Sequence, residues 1–63
     1  MTVTIETMGG STMTFRASQY HCQKYNTAKT NDVAKLIAVY IPTMTKAKAL
    51  RFLRAGFMVS VEY

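Results

Sequence analysis

The sequence predicts an α+β fold, a small and mainly antiparallel sheet with one amphipathic helix packed on one face. Three observations predict it: period-two alternation in residues 2–17 and again in 57–63, a Gly-Gly pair between two alternating stretches, and one helix-forming stretch ahead of the last strand. At 63 residues there is room for one domain, 1–63, which buries only about 60% of the surface its unfolded chain exposes. The composition is that of a folded protein, with 49% hydrophobic and 17% charged residues.

The first element is a β-hairpin over 2–17. Val3, Ile5 and Thr7 alternate with Thr2, Thr4 and Glu6, and Met13, Phe15 and Ala17 alternate with Thr12, Thr14 and Arg16. A three-residue loop, Gly9-Gly10-Ser11, would pair Ile5 with Phe15 and Thr7 with Met13, with a glycine in the left-handed conformation. Residues 18–32 are polar with no clear period and read as an extended connection, with room for a helical turn.

Residues 33–41 admit two readings. Val33, Leu36, Ile37, Tyr40 and Ile41 fit helical spacing, with Asn31 or Asp32 as cap. The run Leu36-Ile37-Ala38-Val39-Tyr40-Ile41 ahead of Pro42 also fits a strand buried on both faces, and a strand over 35–41 is the preferred expectation. A helix over 44–55 follows, with Thr43 or Thr45 as cap and Gly56 placed for a left-handed C-cap. Residues 57–63 then alternate as a strand with Phe57, Val59, Val61 and Tyr63 toward the core.

Function has to be read from charge, because the chemistry-bearing residues are few. His21 and Cys22 are one of each, too few for the ligand sets of zinc, and as neighbours on an extended segment they would point apart. No metal, cofactor or small-molecule substrate is expected. Glu6, Asp32 and Glu62 suggest no acid–base pair, and Gly9-Gly10 joins two strands without a following helix N-terminus. The expectation is a binding protein and not an enzyme. A single cysteine permits no internal disulfide, and no signal peptide or membrane span is expected, so a cytoplasmic location is the default.

Eight Lys and Arg against three acids favour encounter with polyanions. On the helix, Ala49, Leu50, Phe52 and Leu53 form an apolar arc, while Lys48, Arg51 and Arg54 recur as an outward ridge with Lys46 near the core-side edge. Residues 43–56 contain no acid, so this ridge is a candidate partner-binding face. A second candidate is the connection carrying Tyr20, Lys24, Tyr25 and Lys29, where aromatic and cationic groups interleave as base stacking and phosphate contact require.

In layout, Val39 to Tyr63 resembles small phage proteins that inhibit host machinery. In those a strand leads into an Ala/Leu helix and then an Ala-Gly-Phe-x-Val strand; the counterpart here is Ala55-Gly56-Phe57-Met58-Val59. That family's helix is acidic and this one is basic. The resemblance is one of layout; a small domain with no catalytic set and one basic face is itself expected to dock on the acidic surface of a larger host protein or nucleoprotein complex and block it, as anti-defence and host-takeover proteins do. Apolar residues such as Met44 would fill a pocket on the target. The alternative is a nucleic-acid-binding module in which the ridge and the Tyr/Lys connection hold a DNA or RNA backbone.

Overall fold

A computed structural model describes all 63 residues. The element order is β1 (Thr2–Thr7), β2 (Thr12–Arg16), α1 (Gln19–Lys24), α2 (Thr30–Tyr40), α3 (Lys46–Leu53) and β3 (Phe57–Glu62). The three strands form one antiparallel sheet in the order β2-β1-β3, and the helices cover one face of it. The α+β class read from the sequence is the class observed.

Alternation in β1 sends Val3 and Ile5 fully into the interior, flanked by half-buried Met13 and Phe15 from β2 and Phe57, Val59 and Val61 from β3. The other face carries Thr2, Thr4, Glu6, Thr12, Thr14, Arg16, Met58, Ser60 and Glu62 and is left open. Glu6 and Glu62 share that open face at opposite ends of their strands, across from Met58 and Thr2 respectively. Tyr63 has the parity of the core-facing residues but lies past the end of β3 and is 95% exposed, so it does not join the core as expected.

The hairpin loop has the expected three residues, shifted by one to Met8-Gly9-Gly10. Thr7 and Ser11 close it: the Thr7 N–H donates to the Ser11 carbonyl at 2.9 Å, and the Ser11 N–H donates to Thr7 Oγ1 at 3.2 Å. Gly10 takes the left-handed position at φ +88°. Ile5 therefore faces Met13 and Val3 faces Phe15, a slip of two residues from the expected pairing that leaves every side chain on its expected face.

The strand expected over 35–41 is a helix. Val33, Ala34, Leu36 and Ile37 are all fully buried, the pattern of one helical arc. The sheet has a single covered face, so it has no place for a strand buried on both sides. Pro42 follows the helix and holds Ile41 extended at φ −122°. The helix starts at Thr30 with Lys29 in the cap position and no side-chain cap; Asp32 sits in its first turn and accepts the Asn26 N–H at 3.2 Å. The phage-inhibitor layout, which needs a strand at this place, is lost with it.

The connection over 18–32 also holds a helix, α1, which Ser18 caps by accepting the His21 N–H at 3.3 Å. His21 and Cys22 are thus helical neighbours and not strand neighbours. The last helix is shorter than 44–55 because Thr45 caps it, accepting the Lys48 N–H at 3.3 Å, and the chain leaves helical geometry after Leu53. Gly56 follows at φ +108°, its N–H donating to the Leu53 carbonyl at 3.0 Å. No helix is long and apolar enough to cross a membrane.

A cationic helical layer and an aromatic cluster

α3 is anchored by Ala49 and Leu53, both buried, and by half-buried Leu50 and Phe52. Fixing that arc inward leaves Lys46, Lys48, Arg51 and Arg54 exposed. None of their head groups takes part in a hydrogen bond within the chain. Two cations near the helix start oppose its dipole by a few tenths of a kcal/mol each, roughly, while Arg51 in the last turn favours it. Met44 is not available beside the ridge, since it is half-buried against the core.

The ridge belongs to a larger asymmetry. Residues 18–56, which form the helical layer, carry Lys24, Lys29, Lys35, Lys46, Lys48, Arg51 and Arg54 against the single carboxylate of Asp32. The sheet reverses the sign of the balance, with Arg16 against Glu6 and Glu62. All seven cations of the helical layer are exposed. Charge is therefore sorted between the two layers of the fold.

At α1 the structure brings Tyr20, Lys24 and Tyr25 together. The Lys24 ammonium lies 5.7 Å from the Tyr20 ring centroid and 5.6 Å from that of Tyr25. His21 stands edge-on to Tyr20 at 5.2 Å and stacks with Tyr25 at 6.2 Å. Lys29 is set apart at the start of α2, past a turn held by the Ala28 N–H donating to Asn26 Oδ1 at 2.9 Å, and it lies over neither ring.

The cluster turns on Tyr40, a residue that sequence reasoning did not place in it. Its ring stacks on Phe15 at 5.4 Å and meets His21 edge-on at 5.2 Å. Its hydroxyl accepts the Ser18 N–H at 2.8 Å, donates toward Ser18 Oγ at 3.3 Å and meets His21 Nδ1. Ser18 Oγ is 3.0 Å from the same ring nitrogen. Reading 33–41 as a helix would have aligned Tyr40 with Val33 and Ile37 and aimed it at the sheet.

This arrangement supplies exposed cations and aromatic faces at the surface of the helical layer. The fold encloses no cavity, and no three His, Cys, Asp or Glu side chains come together. Comparison with protein families, curated proteins and solved structures finds no match for this chain.

Proposed function

We infer that this protein is a non-catalytic binding module that docks its helical layer on an acidic surface of a larger host protein or nucleoprotein complex and acts by occlusion. The observation that carries the reading is the sorting of charge: the helical layer exposes seven cations with one carboxylate among them, and the α3 head groups have no partner within the chain. A helix shaped for stability alone gains from acids in its first turn and from alternating charge, and α3 has neither. Lys48, Arg51 and Arg54 engage target carboxylates, and Lys46 extends the face toward the helix start. A reducing compartment, the cytoplasm, suits the lone Cys22 thiol.

A second reading, a DNA- or RNA-binding module, is favoured by one observation: Lys24 sits between Tyr20 and Tyr25, an aromatic and cationic platform of the kind that stacks bases. One experiment separates the two. Binding to mixed-sequence single-stranded DNA and RNA is measured across a salt series, beside capture of proteins from nuclease-treated host lysate. Nuclease-resistant enrichment of one protein supports the first reading. Nucleic-acid affinity that falls steeply with salt, and less steeply after Lys48→Glu with Arg51→Glu, supports the second. Arg51→Glu with Arg54→Glu weakens docking by about tenfold or more, or about 1.4 kcal/mol. Undiminished capture of every partner by that variant overturns the role of the ridge.

A further inference from the structure

The outer edge of β3 is a self-pairing surface: we propose that two copies of this chain join their β3 strands antiparallel about a two-fold axis at Ser60. The backbone hydrogen bonds establish which groups are free. Met1 and Ala17 exchange both their bonds at 3.0 and 2.8 Å, and Thr7 bonds Ser11, so the odd-numbered residues of β1 are turned to β2. The Met8 N–H donates to the Gly56 carbonyl at 3.0 Å, so the even-numbered residues of β1 and of β3 are turned to each other. Phe57, Val59 and Val61 therefore point their N–H and C=O groups away from the sheet.

Natural sheets guard such edges with lysine, proline, bulges or very short strands. β3 runs six residues in unbroken register with no lysine, proline or bulge and a single charge, Glu62 at its end, and its core-facing Phe57, Val59 and Val61 are only half-buried. Of the three residue pairs that flank Ser60 between 57 and 63, two match by type, Val59 with Val61 and Phe57 with Tyr63, while Met58 stands opposite Glu62. A two-fold edge pairing draws on such matches, because the strand must complement itself; a foreign strand imposes no such symmetry.

Centred at Ser60, the pairing sets Val59 against Val61 of the second copy and Phe57 against Tyr63 of the second copy, aromatic and β-branched pairs of the kind that stabilise sheets. These are the residues whose backbone groups point outward, as hydrogen-bonded pairs need. Exposed Met58 faces Glu62 of the second copy, and no like charges oppose each other. Tyr63, 95% exposed in a single copy, acquires a partner. The product is a six-stranded sheet with both helical layers on one side. Their like charge makes association stronger as salt rises, opposite to the salt response of a polyanion-binding face.

The test combines sedimentation velocity from micromolar to millimolar concentration with directed cross-linking. Ser60, whose backbone groups are turned to β1, faces Ser60 of the second copy as a non-hydrogen-bonded pair, with Cα atoms about 4.5 Å apart and within disulfide range. Cys22→Ser with Ser60→Cys is therefore expected to oxidise to a covalent dimer at least about tenfold faster than Cys22→Ser with Thr14→Cys, which puts the thiol on the other edge strand. Ser60→Lys, at an exposed site, sets two ammonium groups face to face and is expected to return the protein to monomer with an unchanged circular dichroism spectrum. A monomer at every concentration and salt, equal cross-linking from the two edges, or wild-type dimerisation of Ser60→Lys overturns the proposal.

Discussion

Replacing Gly56 with alanine tests how the last helix is joined to the last strand. At φ +108° the backbone lies where side chains are strained, and an added Cβ would stand 3.0 Å from Met8 Cγ. The backbone term is about 1–3 kcal/mol. The steric term is small, since Met8 is 75% exposed and can swing aside. Lower entropy of the unfolded chain returns about 0.4–1 kcal/mol. The net loss is about 1–2 kcal/mol, against a total of roughly 3–9 kcal/mol for a domain of this length. It should lower the melting temperature by about 5–15 °C. Urea and thermal unfolding followed by far-ultraviolet circular dichroism measure it. Met8→Ala in the same chain separates the two terms: a backbone origin leaves a coupling below about 0.5 kcal/mol. Gly9→Ala, with only Thr7 Oγ1 near at 3.9 Å and no positive φ, is the neutral control. A loss below about 0.5 kcal/mol for Gly56→Ala, or full rescue by Met8→Ala, refutes the reasoning.

Two further outcomes follow from the packing. Leu36→Ala empties a fully buried site and should remove about 2–5 kcal/mol, most of the stability, with the urea midpoint falling by about 2 M or more; a loss under about 1 kcal/mol would place Leu36 outside the core. Tyr40→Phe keeps the stacking on Phe15 but removes the hydroxyl that receives the Ser18 N–H, and should weaken the fold by about 1 kcal/mol and speed amide exchange across α1. Unchanged exchange at His21 and Cys22 would show that α1 is held by its cap alone.

The strands were legible because period two is unambiguous when one face is buried and the other is threonine, as in Thr2-Val3-Thr4-Ile5. The ridge on α3 was legible for a related reason: Ala49 and Leu53 fix the inward side, so Lys48, Arg51 and Arg54 have only one place to go. Residues 36–41 were misread because six apolar residues in a row satisfy both periods, and the choice was made by what lies opposite. Only the assembled sheet, with its single covered face, excludes a strand there. The α1 cluster was legible in part of its membership, Tyr20, Lys24 and Tyr25, and not in geometry: Lys29 stands apart from it. Tyr20 and Lys24 lie on a short helix with no fully buried residue and Tyr25 is its C-cap, so no apolar pattern marks it. Its anchor, Tyr40, comes from another segment.

The pairing of Thr2 with Glu62 means that the middle of the sheet is completed by the two most widely separated parts of the sequence. During synthesis the hairpin emerges early with Val3, Ile5, Met13 and Phe15 on an uncovered side, and those residues wait for α2, α3 and β3 to arrive. Such distant pairing slows folding relative to a helical bundle of similar size. The threonine-lined reverse side of the hairpin is polar both before and after that pairing.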